Sequence, residues 1–149
     1  MLINENLVKL NLEADNQKEA LKSLAEAAFE QGKVSSVEEY VGAVLERESE
    51  YSTAVGFGVA IPHGKTDAVK EPFLMFASVK AMDWKALDGE PIDLIFLIGV
   101  PEKEAGSLHL KILASLSRKL MKEDFRNSLR DVKTEAELIE LLKNSEIGI

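Results

Sequence analysis

Two nearly unbroken apolar segments constrain the fold of this chain more than any other feature. They span residues 73–79 and 92–100, and the turn-forming residues 88–91 lie just before the second. Both have the length of a strand, and neither alternates between apolar and polar residues. A strand with this pattern is covered on both of its faces, so the sequence predicts a central sheet between layers of helices. Residues 7–12 and 55–61 are weaker strand candidates.

The predicted helices are recognised by polar capping residues followed by apolar residues at helical spacing. Their predicted starts are Asn16 with Glu19 three residues later, Ser35 or Ser36, about residue 107, and Thr134 with Glu137. Together with the buried strands, these helices predict a three-layer α/β/α architecture. At 149 residues and without a linker-like stretch, the chain is expected to form one domain, residues 1–149.

Charge and cysteine content exclude several classes of function. The chain has 18 Lys and Arg against 26 Asp and Glu, a formal net charge of -8. Phosphate-rich partners favour basic surfaces, so we expect no nucleic acid or anionic membrane partner. The absence of Cys excludes disulfides, a thiolate nucleophile and thiolate metal sites, and two His are too few for a three-His zinc site. We expect neither a metal nor a cofactor.

Neither the first residues of the chain nor its apolar runs suggest targeting to a membrane. The first residues include Glu5 and lack the basic and apolar regions of a signal peptide. The longest unbroken apolar run, residues 94–98, is far shorter than the roughly 20 residues that a membrane helix needs. We therefore expect no membrane insertion and a cytoplasmic location.

The segment of residues 56–66 contains the residue with the clearest potential for chemistry, His63. The segment is not a P-loop, because five residues instead of four separate Gly58 from Gly64 and no long helix follows. His63 lies between Pro62 and Gly64, just beyond a predicted strand end, where ligands of α/β proteins gather. A neutral His there can act as a nucleophile or base. The alternative is a surface-loop His without a role.

His109 and Arg47 are the other candidates, and each has a structural interpretation. His109 falls in the first turn of the third predicted helix, on the apolar stripe that includes Ile112 and Leu116. It is therefore either a packed core residue or a group beside the anion-favouring start of a helix. Arg47 lies late in the second predicted helix between two glutamates, where a solvated surface Arg is the simpler interpretation.

Taken together, three segments resemble one family. They are Gly58-Val-Ala-Ile-Pro-His63-Gly64, the stretch from Trp84 to Pro101 that contains Asp-Gly-Glu-Pro-Ile-Asp, and His109-Leu-x-Ile-Leu-x-x-Leu-Ser. In this order they resemble the enzyme IIA domain of the bacterial sugar phosphotransferase system, fructose/mannitol type, over essentially the whole chain. The resemblance implies a mixed, largely parallel sheet. It also implies that His63 accepts a phosphoryl group and that His109 and Arg47 line the same site.

The resemblance further implies a relay between protein partners. The histidine-containing phosphocarrier protein (HPr) would donate a phosphoryl group to Nε2 of His63, which would pass it to a cysteine of enzyme IIB, upstream of a membrane permease. Such a phosphotransferase component needs positioning and charge stabilisation, and Arg47 offers the fork geometry that suits phosphate. The alternative is a regulatory phosphocarrier of the nitrogen-regulatory branch, which binds target proteins according to its phosphorylation state.

Overall fold

The computed structural model describes residues 2–104, 108–145 and 147, and for residues 108 and 109 the backbone alone. After a short 3₁₀ turn, Glu5–Leu7, the strands are β1 (Val8–Leu12), β2 (Ala54–Gly56), β3 (Val59–Ala60), β4 (His63–Thr66), β5 (Phe73–Met82) and β6 (Ile92–Pro101). The helices are α1 (Gln17–Glu30), α2 (Val37–Glu50), α3 (Leu108–Leu120), α4 (Glu123–Asp131) and α5 (Glu135–Lys143).

The strands form one mixed sheet in the order β1-β5-β6-β3-β2, with β4 beside β6. Within the described chain, β1 is parallel to β5, and β3 and β4 are both parallel to β6. The longest pairing, β5 with β6, is antiparallel, as is β2 with β3. The predicted α/β class and mixed sheet with parallel pairs are confirmed. The two apolar segments are its central strands, buried along almost their whole length.

Capping residues place three of the helix starts where the sequence predicts them. The side chains of Asn16, Ser36 and Thr134 each accept a hydrogen bond from the backbone N–H three residues later. These bonds satisfy amide groups that have no partner within the helix. The predicted start of α3 at residue 107 lies outside the described residues. None of the described helices is both long and apolar enough to cross a membrane.

One local prediction needs correction, and one helix was not predicted. The strand predicted over residues 55–61 is a hairpin of β2 and β3, because Phe57 and Gly58 both adopt positive φ, 60° and 78°, and reverse the chain. The helix that was not predicted is α4, whose capping position, Lys122, makes no side-chain capping hydrogen bond. Two arginines of α4 hold the hairpin: Arg130 donates to the Phe57 carbonyl, and the Arg126 guanidinium lies 3.9 Å from the Phe57 ring centroid.

The packing of α2 on β4 determines where the candidate site forms. A Cβ atom at Gly64 would stand only 2.9 Å from Val44 Cγ2, so this glycine allows the helix to lie close to the strand. The buried Tyr40 hydroxyl donates to the Ile98 carbonyl at 2.8 Å, which ties α2 to β6. Burial raises the pKa of Tyr40 well above its ordinary value, so the hydroxyl keeps this proton.

Candidate functional site

His63 begins a strand instead of lying in a loop beyond one. It pairs in register with Ile98 of β6, and Gly64 pairs with Gly99. Pro62, which has no N–H to donate, lies at the break between β3 and β4 along the same edge of β6. The surface-loop location that the alternative interpretation assumed is therefore wrong, whereas a role for His63 stays a prediction. Its ring is half-buried, on the strand against which α2 packs.

The His63 ring is oriented by the backbone just before it. Its Nδ1 lies 3.1 Å from the carbonyl oxygen of Ile61. A carbonyl only accepts hydrogen bonds, so this contact requires a proton on Nδ1 and places the lone pair of the neutral ring on Nε2. The geometry therefore favours Nε2 as the nucleophilic atom.

Opposing influences act on the protonation of His63. Partial burial is the largest and lowers its pKa below the ordinary value of 6.5, because desolvation disfavours the charged ring. The hydrogen bond to Ile61 raises the pKa. The positive charge of Arg47 lowers it, and the negative charges of Glu48 and Glu50 raise it. The net result is a lowered pKa, which keeps the imidazole neutral near pH 7.

Arg47 reaches the same site from the last turn of α2, one turn beyond the Val44 contact with Gly64. Its guanidinium lies 4.2 Å from the ring centroid of Tyr51, and its Nη1 donates to the Tyr51 carbonyl at 2.8 Å. Glu50 is a weaker neighbour, at 3.9 Å from Nε. The charge of Arg47 thus acts on the pKa of His63, and contacts with Tyr51 anchor the guanidinium. Whether Arg47 contacts a phosphoryl group or is a surface Arg stays a prediction.

The structure places the backbone of His109 in the first turn of α3, but its side chain lies outside the described part of the chain. The apolar stripe predicted after it is confirmed, since Ile112 and Leu116 are buried. Helix α3 contacts β6, the strand that also pairs with β4. Whether the imidazole of His109 joins His63 or packs into the core stays a prediction.

Three contributors to the site were not found from the sequence: Tyr51, Glu48 and Thr53. Tyr51 follows Arg47 by four residues, a spacing that could have suggested the contact. The Glu48 carboxylate accepts from the Thr53 backbone N–H at 3.0 Å and from its hydroxyl. No sequence pattern predicts that contact. Among the described residues, no group of three or more His, Cys, Asp or Glu is arranged to hold a metal ion.

Comparison with known proteins identifies the class. The sequence model of the family described as "Phosphoenolpyruvate-dependent sugar phosphotransferase system, EIIA 2" matches residues 1–145. The chain belongs to this family, as its resemblance to fructose/mannitol-type enzyme IIA predicted.

Individual relatives agree with that assignment, and they include both fructose-specific components and a nitrogen regulatory protein. The chain is 39% identical over 137 residues to the fructose-specific EIIA component of Haloferax volcanii, covering 91% of this chain and 88% of that protein. It is 34% identical over 146 residues to the fructose-specific EIIABC component of Bacillus subtilis, covering 97% of this chain but 23% of that longer protein. A solved structure of the nitrogen regulatory protein IIA-Ntr from Neisseria meningitidis superposes with a TM-score of 0.87 at 30% identity, covering 95% of this chain and 96% of that one.

Proposed function

We propose that this chain is a phosphocarrier of a sugar phosphotransferase system in which His63 accepts a phosphoryl group on Nε2. The observation that carries the proposal is the Ile61 carbonyl 3.1 Å from Nδ1, which presents the Nε2 lone pair of a neutral ring. The lowered pKa of His63 supports it, because a protonated imidazole has no lone pair to offer. Arg47 supplies positive charge beside the same ring, and His109 is the third residue of the proposed site.

The reaction is a transfer between nitrogens and then to sulfur. The Nε2 lone pair of His63 forms the new N–P bond while the N–P bond of the donor breaks, and that electron pair returns to the donor's imidazole. In the next step a thiolate of the acceptor forms an S–P bond while the N–P bond of phosphorylated His63 breaks, and the electron pair of that bond returns to Nε2. In both steps the protein must align the reacting atoms and stabilise the charge of the phosphoryl oxygens. Arg47 is suited to the second task by its fork of donors.

The proposed donor is HPr and the proposed acceptor is the cysteine of an enzyme IIB, upstream of a membrane permease and with this chain acting in the cytoplasm. Family membership supports a role in a sugar phosphotransferase system, as does the fructose-specific relative from Haloferax volcanii. The formal net charge of -8 favours a donor with a basic docking face. Long-range attraction of this kind weakens as salt shortens the Debye length, so it predicts salt-sensitive association.

The test is phosphoryl uptake from phosphorylated HPr. We expect one acid-labile phosphoryl group per chain, none in His63→Ala, and full stoichiometry in the control Lys65→Ala, which changes an exposed neighbour on the same strand. Uptake of a full equivalent by His63→Ala would contradict the proposal. A chase with enzyme IIB and membranes that carry the permease then asks whether the label reaches a sugar.

A regulatory phosphocarrier is the second candidate. The observation in its favour is the close superposition on IIA-Ntr from Neisseria meningitidis. Both candidates require phosphorylation of His63, so the acceptor of the chased label distinguishes them. Transfer to enzyme IIB and sugar supports the transport role. Retention of the label, together with target binding that depends on phosphorylation, supports the regulatory role.

A further inference from the structure

Glu48 is an acidic side chain in a place that ordinarily disfavours one. It belongs to the last turn of α2, where the partial negative charge of the helix end opposes a carboxylate. Its carboxylate is turned onto the segment that follows the helix, where Thr53 donates both its backbone N–H, at 3.0 Å, and its hydroxyl. Two donors from one residue satisfy the carboxylate and fix Thr53 relative to α2.

Thr53 in turn binds the backbone N–H of Ile61. Thr53 is buried, and its hydroxyl oxygen also accepts from the indole Nε1 of the buried Trp84 at 3.4 Å. Its carbonyl accepts from the backbone N–H of Ile61 at 3.1 Å. The backbone N–H of Ile61 is thus held by a residue that Glu48 and Trp84 contact from two sides.

The Ile61 carbonyl is the group that Nδ1 of His63 contacts. A path of hydrogen bonds, completed by the backbone of Thr53 and Ile61, therefore links the carboxylate of Glu48 to the reactive ring. We propose that Glu48 is a positioning residue for phosphoryl acceptance: through Thr53 and Ile61 it holds the carbonyl that keeps the proton on Nδ1 and the lone pair on Nε2. The consequence for transfer rests on the proposed function, whereas the tautomer of His63 does not.

A purely structural role for Glu48 predicts a different result from a positioning role. If the carboxylate only closes the end of α2, its loss lowers stability and leaves the ring tautomer of the folded protein unchanged. If it positions the carbonyl, its loss weakens the Nδ1–H contact in protein that is still folded. One hydrogen bond biases a two-state ratio by roughly fivefold. The tautomer ratio of His63 is therefore the informative measurement.

The experiment records long-range ¹H–¹⁵N spectra of the His63 ring in the full chain, at a pH where the ring is neutral and with no phosphoryl donor present. We expect the Nδ1–H tautomer to dominate in the unmodified protein. We expect Glu48→Ala to shift the ratio towards Nε2–H by roughly fivefold, the effect of losing one hydrogen bond. Glu48→Gln, which keeps an acceptor for the Thr53 N–H, should shift it less. The matched control is Glu46→Ala, which removes an exposed carboxylate from the same turn and should leave the ratio unchanged.

A Glu48→Ala protein that folds with an unchanged ratio overturns the proposal, as does an equal shift in Glu46→Ala. If Glu48→Ala does not fold, Glu48→Gln carries the test. Its amide nitrogen cannot accept from the Thr53 hydroxyl, so a smaller shift is still expected, and an unchanged ratio overturns the proposal. Phosphoryl uptake is measured in parallel: a positioning role lowers the maximal rate by a similar factor and leaves the donor concentration at half-maximal rate unchanged. Failure of the unmodified chain to take up phosphoryl groups would contradict the proposed function and leave the tautomer result standing.

Discussion

Replacing Gly64 by alanine tests whether the close approach of α2 to β4 sets the geometry of the site. The added Cβ would lie 2.9 Å from Val44 Cγ2 and 3.3 Å from Tyr40 Cε1. Neither neighbour yields easily. Val44 is β-branched and has one strongly preferred rotamer in a helix, and Tyr40 is held by its hydrogen bond to the Ile98 carbonyl. The helix itself must therefore move outward by a few tenths of an ångström.

The magnitude follows from two opposing effects. Overpacking a well-filled contact costs about 1–3 kcal/mol, and replacing glycine returns about 0.4–1 kcal/mol by restricting the unfolded chain. We expect a net loss of about 1–2 kcal/mol, or a fall in Tm of roughly 2–8 °C for a chain of this size. Arg47 moves with α2, so phosphoryl uptake should also slow, by roughly three- to tenfold.

The matched control is Gly42→Ala on the same helix. A Cβ at Gly42 meets nothing within 4 Å, so this change removes a helix-destabilising glycine without a clash. It should raise stability by roughly 0.5–1 kcal/mol and leave uptake unchanged. Denaturant unfolding gives both stabilities, and single-turnover uptake from phosphorylated HPr gives the rates. A Gly64→Ala protein as stable and as fast as the unmodified chain would refute the packing argument.

Three further predictions concern the proposed site residues. Because burial lowers the pKa of His63, the rate of uptake should hold as pH falls through 6.5 and decline only at lower pH; a decline centred at 6.5 would contradict the burial of the ring. The Arg47→Lys variant keeps the charge but loses the guanidinium fork and its stacking on Tyr51, and uptake should fall about ten- to a hundredfold with little change in Tm. The His109→Gln variant should have a Tm close to that of the unmodified chain yet transfer phosphate poorly. Full activity of this variant would mean that His109 is a packed core residue.

Much of the fold follows from local signals that leave little choice. Asn16, Ser36 and Thr134 cap helices because their side chains satisfy free amides, and this chemistry can be read without tertiary information. The two apolar segments indicated strands covered on both faces. They could not indicate direction, since burial on both faces is the same for parallel and antiparallel neighbours. The antiparallel pairing of β5 with β6 therefore appears only in the structure.

The elements that the sequence did not predict correctly depend on tertiary contacts. Helix α4 begins at Glu123, and Lys122 before it provides no side-chain cap. Its arginines Arg126 and Arg130 contact the distant Phe57 turn, and Arg130 also pairs with Asp93. That turn needs a positive φ at Phe57, which is uncommon for an aromatic residue. The strand β4 has the sequence His-Gly-Lys-Thr, which carries no strand pattern; β6 supplies its pairing.

The candidate site, like the fold, combines residues that the sequence indicated with contacts that only the structure shows. The Pro-His-Gly setting pointed to His63, and the resemblance added Arg47 and His109. The anchoring of Arg47 on Tyr51 is close in sequence and could have been inferred. The contacts from Thr53 to Ile61 and Trp84 could not, because they join segments that meet only in the folded chain. The contact from Glu48 to Thr53 is close in sequence but depends on the non-helical turn after α2, for which the sequence has no pattern.

The most direct test of the account is the position of the phosphorus atom in the phosphorylated chain. Long-range ¹H–¹⁵N spectra with ³¹P coupling, recorded on protein phosphorylated by HPr, identify both the residue and the ring nitrogen. We predict a single N–P bond at Nε2 of His63, with Nδ1 still protonated towards the Ile61 carbonyl. A phosphoryl group on Nδ1 of His63, or on His109, would contradict the account.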